Sequence, residues 1–160
     1  MAESFALSYN IAGEQQMQRS FSRFSEHMSD LHEPFEDIAG KFLEIEEAQF
    51  ASEGSRGGHW KGLSDEYAAW KAKHYPGAPI MVREGTLKAS LTGGAGKLKD
   101  VQAQTLTLGS TIPYAIYHQE GRGNLPQRKL VHLTEEDKLD WSKTIHKWVI
   151  KKLKKEFSKR

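Results

Sequence analysis

The chain has 160 residues, one ordinary domain's worth, and its 38% apolar and 28% charged content suits a globular protein rather than a disordered one. Its 23 basic and 21 acidic side chains leave a formal charge of +2, which gives no general reason to expect nucleic-acid binding. Cysteine is absent, which excludes disulfides, thiolate catalysis, iron–sulfur clusters and cysteine-based zinc sites and favours a reducing compartment.

The N-terminus lacks the basic start and apolar block of an export signal, and no apolar run in the chain exceeds four residues, where a membrane span needs roughly 20. A soluble protein made in the cytoplasm, with no membrane partner, is the expectation. Residues 3–11 alternate, with Phe5, Leu7, Tyr9 and Ile11 on one face, and read as a strand ended by Gly13. A helical stripe follows at Met17, Phe21, Phe24, Met28, Leu31, Phe35, Ile38, Phe42 and Ile45. Its steps of four and three present one seam for burial, as an intramolecular core rather than a coiled-coil surface. Pro34 interrupts it, because proline lacks an N–H and clashes with the preceding turn. Two helices, about 14–31 and 33–52, are favoured over one kinked helix, with Asp30 or His32 capping the restart.

Residues 53–62 read as a glycine-rich loop anchored on the core by Trp60. A short helix over 64–75 is expected next, capped by Ser64, with Tyr67 and Trp70 facing inward and Pro76-Gly77 ending it. Another short helical stretch is expected over 82–91, with Leu87 and Leu91 one turn apart, then a flexible tip at Gly93–Gly96. Residues 98–109 are β-prone but change face between Val101 and Leu106, which implies a bulge or two short strands. Pro113 opens a segment ending at Gly121 that reads as a short helix, with a strand as the alternative, and 128–133 reads as a further strand. Thr134 and Asp137 resemble a capping box opening a basic C-terminal helix over 134–158, with Trp141, Ile145, Trp148, Val149, Leu153 and Phe157 on one face. The fold class implied is α+β. Long N-terminal helices and a C-terminal helix pack on a small, mainly antiparallel sheet, in a single domain over 1–160.

Charge is distributed unevenly along this plan. Residues 143–160 carry a net +7, whereas Glu26–Glu53 carry a net −8. Two solvated helix faces explain that pattern about as well as two complementary docking surfaces do.

Signals for catalysis are missing. None of the seven histidines forms HExxH or another tight metal spacing, and no GxSxG occurs. GGAGKL around Lys97 fails as a phosphate loop, because the earlier glycine is missing and Leu98 stands where a Ser or Thr must reach magnesium. Glu46-Glu47 and Glu135-Glu136 are neighbours on helices and point apart, as solvent charge rather than an acid/base dyad. No catalytic residue, metal site or cofactor is expected.

Gly58-His59-Trp60-Lys61-Gly62-Leu63-Ser64 resembles the "G-x-W-x-x-L-S" segment of the phage virion morphogenesis (tail-completion) proteins of Mu-like and related tailed phages. The resemblance continues in order through Gly85, Leu87 and Ser90, then Gly109, then Tyr114-Ala115 with His118-Gln119 and Gly121, then Pro126 with Arg128. It spans about residues 14–150, with Lys129 and Glu120 departing from the pattern. What it implies is a structural protein of the head–tail junction, not an enzyme, located in the neck or tail region of the virion. Such proteins assemble as rings, often sixfold, between tail tube or terminator and head connector, with DNA passing through the lumen. Under that reading the motif residues pack the fold, satisfy backbone groups or contact a neighbouring subunit. Lys147, Lys151, Lys152, Lys154 and Lys155 then meet carboxylates of a neighbour or DNA. The alternative function is a nucleic-acid-binding phage accessory protein acting through the basic C-terminal helix.

Overall fold

Residues 14–158 are described by the structure, a computed structural model. The strand expected over 3–11 lies outside them. Helix α1 (Glu14–Met28) and helix α2 (His32–Ala51) are separate, as the proline predicts. Pro34 sits in the first turn of α2, where a missing N–H costs nothing. Asp30 Oδ1 accepts from the His32 N–H at 3.0 Å, and the Leu31 N–H donates to Ala103 O at 2.7 Å, so the break is also tied to a distant loop.

Together α1 and α2 run antiparallel to the long C-terminal helix α6 (Glu135–Phe157). Ser20 donates to Glu156 O at 3.4 Å, Glu33 pairs with Lys152 at 2.8 Å, and Lys41 pairs with Asp140. Thr134 and Asp137 form the expected capping box at the start of α6. Only the later part of the N-terminal stripe is deeply buried: Phe35, Ile38 and Phe42 are core, while Met17 and Phe21 are about half exposed. Leu153 and Phe157 at the far end of α6 are also exposed, and Phe157 meets Phe21 edge to face.

Helix α3 (Asp65–His74) is capped by Ser64 as expected. Its aromatic face is reversed. Tyr67 and Trp70 point outward and stack on each other at 5.5 Å, and Lys71 turns in instead. The short helix has no apolar stripe to bury, and the Lys71 ammonium reaches back to Pro79 O across the Pro76–Gly77 turn.

Helix α4 (Thr86–Leu91) buries Leu87, Ser90 and Leu91. Gly93–Gly96 is a packed turn rather than a flexible tip: a Cβ on Gly94 would lie 2.9 Å from the Ala89 Cβ, and one on Gly96 2.9 Å from Ile112 Cδ1. Strands β1 (Lys97–Val101) and β2 (Leu106–Ser110) form an antiparallel hairpin, from Lys97 opposite Ser110 to Val101 opposite Leu106. The change of face marks two strands rather than a bulge.

Helix α5 (Ala115–Glu120) ends at Gly121, as Pro113 and the glycine predict. Residues 128–133 form no strand, and the chain bends at Leu130 and Val131. Side chains take the place of a ladder there: Gln119 Oε1 accepts from the N–H groups of Leu130 and Val131, while Gln49 and Trp60 both donate to Lys129 O. The core gathers Phe42 and Phe50 of α2, Trp60, Leu87 and Leu91 of α4, and Leu130. Fully burying such a side chain stabilises by about 1.5–3 kcal/mol. The architecture is α+β, with the helices dominant and a two-stranded antiparallel sheet.

Candidate functional site

Four of the five segments that carry the family resemblance reach one open cleft, and the Gly109 segment does not. Leu63, Gly85, Leu87, Tyr114, His118, Pro126 and Arg128 all line it, with Lys61, Lys71 and Arg83 among their neighbours. Its volume is about 1060 Å³. α3 and the start of α4 form one wall, and Tyr114, His118 and residues 123–128 form the other.

Arg128 is the best-fixed group in the cleft. Its Nε donates to Lys61 O at 2.7 Å and a terminal nitrogen donates to Gly62 O at 2.8 Å. The guanidinium therefore holds the Trp60–Leu63 segment against the 126–128 segment. Burial lowers its pKa, yet no carboxylate lies within ion-pair distance of it among the described residues. Lys71 is equally buried and its pKa is lowered by the same cause, with Glu53 opposing the shift. His118 is held below its ordinary pKa by burial and then by Arg128, which keeps the imidazole neutral at pH 7. Its Nδ1 is buried with no hydrogen-bond partner among the described residues.

The remaining motif residues stand behind the cleft and hold it in shape. Trp60 packs edge-on to Phe50 and donates from Nε1 to Lys129 O at 2.8 Å. Ser90 is fully buried, donates to Leu87 O and shares a 2.6 Å hydrogen bond with Ser110 Oγ, which ties α4 to the end of β2. Gln119 also donates from Nε2 to Val131 O and so splints the segment through three hydrogen bonds. Gly121 is left-handed at φ +71°, and a Cβ there would meet Gln127 N at 2.8 Å. Gly85 needs its positive φ to cap α4 but is not crowded, and Ala115 packs on the core. Nothing in the structure requires glycine at position 109, where a Cβ would touch only Leu98 at 4.0 Å.

The five lysines proposed from charge lie elsewhere, on α6, and none lines the cleft. Lys152 and Lys151 reach Glu33 at 2.8 and 3.9 Å, and Lys152 also sits over the Trp148 ring. The acidic and basic segments thus meet within the chain. Lys147, Lys154 and Lys155 are exposed and make no ion pair among the described residues.

Three features were not anticipated. Lys71 was hidden because its partner is a backbone carbonyl that sequence does not reveal. Arg56 spans from the glycine-rich loop to Asp137, adding a bidentate ion pair to the capping box. Glu46, read as solvent charge, is fully buried and its carboxyl oxygens have no hydrogen-bond partner among the described residues. Burial raises its pKa to about 8 against the pull of Arg56, so it is neutral at pH 7. A carboxyl at position 46 falls on the buried side of α2, between Phe42 and Phe50, and that placement was readable from the helical period.

Among the described residues no three His, Asp or Glu side chains converge as a metal site. The cleft presents cations, aromatics and the carboxylate of Glu84, and among the described residues no hydroxyl is hydrogen-bonded to His118. Such a surface suits recognition of a partner. Against models of protein families, residues 12–150 match the phage virion morphogenesis family. The chain belongs to that family. This phage virion morphogenesis protein accordingly has a structural, virion-associated role, in a family not known for enzymatic activity. No curated protein and no solved structure matches it. No helix among the described residues is long and apolar enough to cross a membrane.

Proposed function

We propose that this virion morphogenesis protein completes the tail or neck at the head–tail junction, as a ring of copies between the tail tube or terminator and the head connector. A hexamer is the expected copy number. The observation that carries this reading is that four of the five segments bearing the resemblance reach one open, cation-lined cleft in a chain of the virion morphogenesis family. A closed ring needs two different complementary surfaces on each subunit. The cleft supplies one of them. Electron microscopy of finished particles tests the reading: a ring of this protein at the junction is the expected result, and its absence from particles or presence as isolated monomers refutes it.

A second reading is favoured by Lys147, Lys154 and Lys155 on α6, which make no ion pair among the described residues, Lys147 feeling only the longer-range attraction of Asp140. They would contact phosphates, either of DNA in the lumen or in an accessory nucleic-acid-binding role. Phosphate contacts make affinity fall steeply with salt, by roughly one power of salt concentration per contact. A salt titration of DNA binding by the purified chain with a slope near zero removes this reading.

A further inference from the structure

Glu33 is already engaged by Lys151 and Lys152, so the carboxylates open to a neighbour lie further along α2. Asp37, Glu44 and Glu47 are exposed and have no ion-pair or hydrogen-bond partner among the described residues. At 3.6 residues per turn they form a ridge opposite the buried Ile38, Phe42 and Glu46. Gly40 sits in the middle of that ridge. Glycine inside a helix costs about 1 kcal/mol relative to alanine, and no packing among the described residues asks for it, since a Cβ at Gly40 would meet none of them within 4 Å. Bare backbone at the centre of an acidic ridge admits close approach by another surface.

The complementary surface is the cleft. Lys61, Lys71, Arg83 and Arg128 line it against one carboxylate, Glu84, which is paired with Arg83. Lys71 and Arg128 are each 5% exposed and lack a carboxylate within ion-pair distance among the described residues, with only the longer-range pull of Glu53 on Lys71. We propose that the α2 ridge of one copy lies across the cleft of a second copy. Glu44 and Glu47 then reach toward Arg83 and Lys61, and Gly40 allows the helix to sit close. The contact joins unlike surfaces and is head-to-tail, so it rests on the ring reading and names the faces that would close the ring.

The absence of cysteine gives a direct test. The double variant Glu44→Cys/Arg83→Cys, in the full chain and in particles assembled with it, is oxidised and run without reductant. A ladder of disulfide-linked dimer, trimer and higher species is expected, ending at the closed ring. Each single-cysteine variant should give no ladder, and a mixture of the two should give a one-to-one dimer only. Gly40→Leu, which suits an exposed helix position, should keep the helical circular dichroism and abolish the ladder. A second pair, Glu44→Cys/Lys147→Cys, separates the possible failures. Cross-linking of that pair but not of the Arg83 pair overturns the cleft contact and leaves the ring standing. Absence of ladders from both pairs, with monomeric sedimentation and no ring in particles, overturns the contact and the ring together.

Discussion

Glu46 makes the protein's stability depend on pH in an unusual direction. Its carboxyl is buried without hydrogen bonds, and its pKa rises from 4.5 in the unfolded chain to about 8 in the folded one. Below pH 4.5 it is protonated in both states and imposes no ionisation penalty. Between 4.5 and about 8 the unfolded chain releases the proton and the folded chain keeps it, so stability falls as pH rises, by up to about 1.4 kcal/mol per unit. The depressed carboxyls of Asp137 and Asp140 act with the opposite sign, but their effect is complete above their ordinary pKa and does not mask this window. His118, whose pKa burial lowers, makes stability rise with pH up to its ordinary value of 6.5, so Glu46 is isolated above that value: Glu46→Gln should flatten the dependence between pH 6.5 and about 8 in urea denaturation, and equal slopes in the variant and the parent would contradict the assignment. Two glycines give a matched contrast at the same scale. Gly54 is left-handed at φ +88°, and a Cβ there would fall 2.4 Å from Trp60 Cδ1, so Gly54→Ala should cost about 3 kcal/mol. Gly40→Ala should instead stabilise the monomer by about 1 kcal/mol, because it adds helix propensity and meets no neighbour. Thermal denaturation of both variants under conditions that keep the chain monomeric decides each case.

At the scale of elements, one side chain replaces a strand pairing. Gln119 binds Leu130 and Val131 through three hydrogen bonds and so fixes the bent segment that carries Arg128 into the cleft. Gln119→Leu leaves those backbone groups unpaired at a partly buried site, and each such group costs about 1–3 kcal/mol. The variant should lose at least about 2 kcal/mol, and faster amide exchange at Leu130 and Val131 would locate the damage; unchanged exchange there would deny Gln119 its splinting role. This substitution for a β-ladder explains why 128–133 misleads as a sequence. Arg-Lys-Leu-Val-His-Leu has strand-forming residues, but the partner of Leu130 and Val131 is Gln119, on the preceding helix, and no local pattern encodes that. Elements whose ends are set locally were legible: the α6 capping box, the Ser64 cap, the restart of α2 at Pro34 and the stop at Gly121 all depend on residues a few positions apart. The orientation of α3 was not legible, because its aromatics are held outward by stacking while Lys71 takes the inward position through Pro79. Of the cleft, the residues were visible as ordered motifs. Their convergence depends on long-range contacts such as Arg128 to Lys61 and Gly62, which no spacing rule supplies.

For the whole molecule, the opposed charges of the N-terminal and C-terminal helices serve first to hold the chain together. Glu33 meets Lys151 and Lys152, and Lys41 meets Asp140, along the antiparallel packing of α1 and α2 on α6. The basic tail therefore divides into lysines used internally and lysines left over. Lys151 and Lys152 belong to the first group, and reversing both to glutamate places two like charges beside Glu33. A mostly exposed pair contributes about 0.2–1 kcal/mol, so a loss of about 1–2 kcal/mol is expected for the double reversal, lessened by added salt. Lys147, Lys154 and Lys155 belong to the second group. Replacing these three with glutamine, which removes charge without setting a carboxylate against the end of the helix dipole or against Asp140, should cost no more than about 1 kcal/mol. If they face a neighbour or DNA in the virion, that variant should still fold yet yield particles with unjoined heads and tails. Comparing denaturation with plaque formation for the two sets separates the roles, since structural charge lowers both measures and assembly charge lowers infectivity alone. Full infectivity from the Lys147, Lys154 and Lys155 variant would leave the cleft and the α2 ridge as the surfaces on which assembly must depend.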